Sequence, residues 1–168
     1  MIRFEFLDKS STDEFLPLLF DLLHNNMNAI APSGFTREED WEEWRGAVGP
    51  ALQKEPRKII LIYSGDELIG YFQYFVNAET FMMEEIQLKP EFHGTGVFEK
   101  LYEHLYGIVP KETPFAEAYA HKLNLRSQGI LLHLGLEPIG ENGNGSCLHY
   151  RGSCAIMFDI ILNRGAED

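Results

Sequence analysis

The chain has 168 residues, 45% of them hydrophobic, which is enough to form the core of one domain. Its 26 acidic and 14 basic residues give a formal net charge of -12, which argues against a nucleic-acid partner because phosphate backbones are bound by lysine and arginine. No run of about 18 apolar residues occurs, and Glu5 and Asp8 are atypical of a signal segment. We therefore expect one soluble, cytoplasmic domain over residues 1–168, with no membrane partner.

The N-terminal region predicts a strand followed by a helix. Residues 2–7, IRFEFL, alternate as a strand does. Ser11 with Glu14 three residues later matches a capping box and predicts the start of a helix. Apolar residues then recur at helical spacing: Phe15, Leu18, Leu19, Leu22 and Leu23.

A second helix is predicted over about 37–48. Thr36 with Glu39 repeats the capping signature, and Pro50 is expected to close the helix. Its sequence, REEDWEEWRGAV, is acidic and carries two tryptophans, which we expect an amphipathic helix to bury.

Three strands are predicted next. Residues 58–64 and 67–76 form a hairpin through Gly65 and Asp66, because these residue types accept the backbone of a tight turn. Both strands are apolar at nearly every position, which predicts helices on both faces of the sheet. Residues 80–88, TFMMEEIQL, supply the next strand.

The stretch PEFHGTGVFEKLYEHLYG, residues 90–107, leads through two glycines into a helix predicted at about 96–107. A strand that ends in a glycine loop and enters a helix presents backbone N–H groups at the positive end of the helix dipole, as phosphate sites do. On its own, HGTG is equally typical of a tight turn. The dinucleotide fingerprint and the GK[ST] motif are both absent.

The C-terminal third predicts a strand, a helix and two last strands. Residues 114–121 form a strand with Ala116, Ala118 and Ala120 on one face, and residues 124–135 form a helix that ends at Gly135. Residues 136–141 and 154–162 are interpreted as the last two strands, around the loop 142–146. The whole chain then has seven strands and about four helices.

The only two cysteines are Cys147 and Cys154. They lack neighbouring histidines at zinc-finger spacing, so we expect no metal site. We interpret them as free thiols, although the sequence leaves a bridge between them open.

Two motifs resemble the GNAT superfamily of acyl-CoA-dependent N-acyltransferases, and the order of the elements over most of the chain agrees. The residues that match the first motif are Glu85, Ile86, Leu88, Pro90, Phe92, His93, Gly94 and Gly96. Those that match the second are Asn124, Ser127, Gly135 and Leu136. The resemblance implies an α/β domain with a mixed, mostly antiparallel seven-stranded sheet flanked by about four helices.

The resemblance also implies that the chain binds acetyl-coenzyme A, with the pyrophosphate on the backbone amides of residues 93–98. The implied cofactor-binding residues are Leu88, His93, Gly94, Thr95, Gly96, Val97, Phe98, Asn124 and Ser127. Three positions depart from the family pattern. His93 replaces an arginine or glutamine, Phe98 replaces a small residue, and Leu131 aligns with the tyrosine that commonly protonates the leaving thiolate.

Acetyl transfer needs a neutral amine, so a group must accept a proton from the ammonium form of the acceptor. Glu85 stands where many family members carry a base or an amine-orienting carboxylate. Glu84 is a second candidate on the opposite strand face, and Gln87 shares a face with Glu85. Tyr119 is a candidate proton donor to the thiolate; Tyr150, His133 and water remain open.

We expect an N-acetyltransferase that transfers the acetyl group of acetyl-coenzyme A to a primary amine by direct attack in a ternary complex. Its acceptor would be a small molecule or a peptide. One alternative is a catalytically silent acyl-CoA-binding module of the same fold, and another is an unrelated phosphate binder. A homodimer is possible if the apolar C-terminal strand forms a sheet edge.

Overall fold

A computed structural model describes residues Met1 to Asn163, which form seven strands and five α-helices. The first half contains β1 (Ile2–Phe6), α1 (Thr12–Ile30), α2 (Arg37–Leu52), β2 (Lys58–Ser64), β3 (Glu67–Val76) and β4 (Thr80–Leu88). The second half contains α3 (Val97–Tyr106), β5 (Phe115–His121), α4 (Leu125–His133), β6 (Glu137–Glu141), β7 (Cys147–Ser153) and α5 (Cys154–Asn163).

The strands form one mixed sheet in the order β1-β2-β3-β4-β5-β7-β6. The pairs β1–β2, β2–β3, β5–β7 and β6–β7 are antiparallel, whereas β4 and β5 are parallel. The parallel register runs from Thr80 opposite Phe115 to Met83 opposite Ala118. The predicted fold class is confirmed, with five flanking helices in place of about four.

Contacts group the described chain into two compact units. The first comprises Met1–Tyr74 and Glu85–His93, and the second comprises Phe75–Glu84 and the chain from Gly94 onward. The expectation of one domain over residues 1–168 stays a prediction.

In the first unit, α1 and α2 pack on one face of the β2–β3 hairpin. The buried cluster there contains Leu16, Leu19, Leu22, Leu52, Ile59, Leu61 and Tyr71. Trp41 and Trp44 pack against this cluster, and their rings lie 5.3 and 5.6 Å from the ring of Phe20. Ile60 and Ile62 are also fully buried, so both faces of β2 are covered as predicted.

The two helix starts of this unit differ from each other. The capping box at α2 is confirmed, because the Thr36 hydroxyl accepts the Glu39 N–H and the Glu39 carboxylate accepts the Thr36 N–H. The capping box predicted at Ser11 is wrong, since its side chain makes no capping hydrogen bond. The Asp8 carboxylate instead accepts the Ser10 N–H and begins a short 3-10 turn before α1. The second helix continues past Pro50 to Leu52.

The core of the second unit lies between α3, α5 and the alanine face of β5. Leu101 and Leu105 of α3 are fully buried. Ala116, Ala118 and Ala120 are at most 5% exposed, which confirms that they share a covered face. Side chains as small as alanine let a covering element come close to the strand.

The prediction for the C-terminus is wrong: residues 154–162 form helix α5, and the last strand is β7, residues 147–153. The Ser153 hydroxyl accepts the Ile156 N–H and caps the helix. The buried residues of α5 follow helical spacing: Cys154, Met157, Phe158 and Ile161. The apolar strand edge on which a homodimer was based is therefore a helix, and the homodimer itself stays a prediction.

Cys147 and Cys154 are free thiols, as predicted. Burial raises the pKa of Cys154 to about 11. Of the helices within Met1–Asn163, none is both long and apolar enough to cross a bilayer.

Candidate functional site

Glu85 and Gln87 lie two residues apart near the end of β4, and their side chains are in contact. The Gln87 amide nitrogen Nε2 donates a hydrogen bond of 2.6 Å to Glu85 Oε1. Gln87 is buried, with 6% of its surface exposed. Residues two apart on a strand point to the same face, so the predicted shared face is confirmed. The Glu85 carboxylate therefore has one oxygen held by a buried amide.

Asn26, from the C-terminal part of α1, holds the other end of the Gln87 amide. Its Nδ2 donates to Gln87 Oε1 at 2.9 Å and to the Leu88 carbonyl oxygen at 3.0 Å. Sequence reasoning missed this residue, since nothing in the local pattern around it differs from that of a surface asparagine.

His93 binds the same carbonyl group. Its Nε2 lies 3.1 Å from the Leu88 oxygen, and because a carbonyl oxygen can only accept, Nε2 must carry the hydrogen. The Leu88 oxygen thus accepts from both Asn26 and His93, which uses both of its lone pairs. A contact between Leu88 and a cofactor cannot use this oxygen while both bonds are in place.

Tyr71 of β3 is fully buried near Glu85, and its hydroxyl makes no hydrogen bond within the described residues. Burial raises the pKa of Tyr71 well above its usual value, and the negative charge of Glu85 adds to the effect. The phenol is therefore neutral at physiological pH. It is a buried hydrogen-bond donor beside a carboxylate.

The loop that follows β4 turns on two glycines with left-handed backbone. Gly94 has φ 73° and Gly96 has φ 84°, values that non-glycine residues rarely adopt. A Cβ built on either glycine meets no atom within 4 Å, so the space in front of both is open. Gly96 precedes α3, and its carbonyl accepts the Lys100 N–H at 3.2 Å.

The backbone amides of the first turn of α3 have no partner inside the helix, as at every helix start. Thr95 is exposed, Val97 is buried and Phe98 is partly buried. Glu99 adds a negative charge to this turn. Open space, left-handed glycines and helix amides together fit a diphosphate group, and the Glu99 charge opposes it.

Tyr119 on β5 is 43% exposed and stacks on His149 of β7, with ring centroids 4.4 Å apart. His149 Nε2 lies 2.9 Å from Glu117 Oε1. Sequence reasoning missed the Glu117–His149 pair, because the register that puts Tyr119 opposite His149 follows only from the fold. Of the alternative proton donors, Tyr150 is buried and His133 is exposed in the last turn of α4.

Asn124 caps α4, and its Oδ1 accepts the Ser127 N–H at 3.1 Å. The two predicted cofactor residues of this helix are thus in contact with each other. Leu131, at the position of the family's tyrosine, is buried. Glu84 is partly buried on β4, within the second unit.

Within the described part of the chain, no three His, Cys, Asp or Glu side chains are grouped so that they could hold a metal ion.

The chain has the fold of the GNAT acetyltransferases. It is similar to a protein from Desulfovibrio desulfuricans assigned to the GNAT family, with a TM-score of 0.64, 12% identity, and 91% and 99% of the two chains covered. The PaiA N-acetyltransferase of Thermoplasma acidophilum in complex with coenzyme A gives a TM-score of 0.68 at 15% identity, over 91% of this chain and 99% of its own.

The N-acetyltransferase PseH of Campylobacter jejuni in complex with acetyl coenzyme A gives a TM-score of 0.56 at 15% identity, over 92% and 99% of the two chains. No protein-family model and no curated protein matches the sequence. Structural similarity at sequence identities of 12–15% shows that the fold is shared. The predicted resemblance to the GNAT superfamily is therefore confirmed for the fold.

Proposed function

We propose that the protein is an N-acetyltransferase that transfers the acetyl group of acetyl-coenzyme A to a primary amine. The observation that carries the proposal is the loop between β4 and α3 of a GNAT fold, where Gly94 and Gly96 open space in front of the first amides of a helix. Similar structures with coenzyme A or acetyl coenzyme A bound support this assignment.

The residues proposed to hold the cofactor are those of the loop and of the start of α4. The backbone amides of residues 94–98 would bind the pyrophosphate, because helix N-termini favour anions and glycine lets the anion approach. The His93 N–H, predicted with them, already donates to the Pro90 carbonyl oxygen at 3.0 Å. Leu88, Asn124 and Ser127 are proposed as further contacts. Acetyl-coenzyme A would supply the acetyl group as an activated thioester.

Glu85 is the proposed base or amine-binding carboxylate. An ammonium has no lone pair, so the acceptor nitrogen must lose a proton before it can form the new amide bond. A carboxylate with one oxygen held by Gln87 can bind the ammonium through its negative charge and accept that proton, directly or through water. Glu84 remains a second candidate for this role.

Tyr119 is the proposed proton donor to the departing thiolate. Its exposure leaves the hydroxyl accessible to a substrate. The stack on His149 fixes the direction of the ring.

A catalytically silent acyl-CoA-binding module is the second candidate. Leu131 favours it, because an apolar, buried side chain stands where the family carries its usual proton donor. Such a module would bind the cofactor and turn over no amine.

Calorimetry with coenzyme A and acetyl-coenzyme A tests the cofactor site. Gly96→Ala should weaken binding about tenfold or more, because a Cβ strains the left-handed backbone and projects into the open space. Gly34→Ala is the matched control, since Gly34 has φ 83° and open space in a different loop. No heat with either ligand, or equal weakening by both variants, would refute the assigned site.

Thiol release from acetyl-coenzyme A with a panel of primary amines tests the reaction. We expect Glu85→Gln to lose at least about 100-fold in kcat/KM while it retains coenzyme A binding. Glu79→Gln makes the same change at an exposed position just before β4 and should remain active. Cofactor binding without turnover of any amine would favour the silent module.

A further inference from the structure

We propose that Asn26 is a positioning residue for Glu85 and that it acts through Gln87. The inference rests on the proposed function, because it assigns Glu85 the role of base or amine ligand. Asn26 is on α1, 61 residues from Gln87 in sequence, and its Nδ2 lies 2.9 Å from Gln87 Oε1.

The Leu88 carbonyl fixes which group donates in the two hydrogen bonds that connect Asn26 to Gln87 and Gln87 to Glu85. That oxygen can only accept, so the Asn26 group 3.0 Å from it must be the amide nitrogen. The same nitrogen also reaches Gln87 Oε1, which leaves Gln87 Nε2 to face the carboxylate. The Leu88 carbonyl oxygen thus determines, through Asn26, that the nitrogen of the Gln87 amide contacts Glu85.

This orientation matters because the two ends of the Gln87 amide interact with a carboxylate in opposite ways: the nitrogen donates a hydrogen bond to it, and the oxygen can only accept one. The nitrogen end donates at 2.6 Å and stabilises the ionised form of Glu85, whereas the oxygen end would repel it. Gln87 is 6% exposed, so water has little access to compensate for a reversed amide. Asn26 therefore keeps the amide nitrogen of Gln87, and not its oxygen, directed at the Glu85 carboxylate.

Two substitutions at Asn26 remove the donor in different ways. Asn26→Asp keeps the shape of the side chain but has no N–H, and Asn26→Ala removes the donor without adding charge. Each should lower kcat/KM for the amine about tenfold while coenzyme A affinity stays unchanged. Asn28→Asp, an exposed position two residues further along α1, is the control for the charge and should remain at the wild-type level.

A double-mutant comparison separates positioning from a general structural effect. In a Glu85→Gln background, Asn26→Ala should change kcat/KM less than about twofold, because the residue acts through Glu85. Wild-type kcat/KM in both Asn26 variants would overturn the proposal. An equal loss from Asn26→Ala in the wild-type and Glu85→Gln backgrounds would overturn it as well.

Side-chain amide NMR gives a readout that needs no acceptor. In the wild type, the Gln87 Nε2 proton bonded to Glu85 should resonate downfield of its geminal partner, and in Asn26→Ala it should move upfield. An unchanged Gln87 signal would refute the inference even in a protein with no measurable turnover. Absence of turnover by the wild type, by contrast, would refute the proposed function.

Discussion

Gly70 of β3 lies against the backbone of β4 at the position of Gln87 and Leu88. A Cβ added to Gly70 would lie 2.4 Å from the Gln87 carbonyl oxygen and 3.2 Å from the Leu88 Cα. Both are main-chain atoms of a paired strand, so neither can move aside alone. We therefore expect Gly70→Ala to push the two strands apart.

Overpacking of this kind costs about 1–3 kcal/mol, and contact with backbone belongs at the upper end of that range. Alanine also reduces the conformational entropy of the unfolded chain relative to glycine, which stabilises the folded protein by about 0.4–1 kcal/mol. The net loss in the free energy of unfolding should be about 2 kcal/mol.

Urea denaturation of the wild type and Gly70→Ala measures this loss as a lower midpoint. Gly46→Ala in α2 is the control, since a Cβ there meets no atom within 4 Å. Alanine in a helix should raise stability by about 1 kcal/mol over glycine. A Gly70→Ala protein as stable as the wild type would refute the close approach of the two backbones.

Two further predictions concern ionisable groups of the second unit. Burial raises the pKa of Tyr102 from 10.0 to about 12, so its contribution to stability is complete below pH 10 and is lost as the pH rises toward 12. Tyr102→Phe should show a shallower decline of the urea midpoint over this range; parallel declines would contradict the assignment. The pKa of about 11 that burial gives Cys154 keeps its thiol protonated, so iodoacetamide at about pH 8 should alkylate Cys147 and spare Cys154 in the folded protein. Peptide mass spectrometry reads both sites, and equal rates would show that Cys154 is accessible.

Local patterns predicted the elements whose signals are short-range. The hairpin through Gly65 and Asp66, the capping box at Thr36 and the glycine loop before α3 each depend on residues within a few positions of one another. The C-terminal helix was missed because CAIMFDIIL is apolar at nearly every position, which hides the helical spacing of Cys154, Met157, Phe158 and Ile161. The Ser153 cap was the signal that could have identified it.

The candidate site was predictable only along its own strand. The contact between Glu85 and Gln87 follows from their alternation on β4. The partners that arrive from elsewhere do not: Asn26 comes from α1, and the Glu117–His149 pair joins two strands 32 residues apart. Such contacts depend on the topology of the fold. They cannot be predicted from composition or from the spacing of residues along the sequence.

The Leu88 carbonyl links three parts of the first unit mechanically. Because one oxygen accepts from Asn26 and from His93, a displacement of the end of α1 must either stretch the Asn26 bond or carry the strand end with it. The His93 ring moves with that strand end. A shift of α1 would therefore displace the His93 ring through these two hydrogen bonds alone.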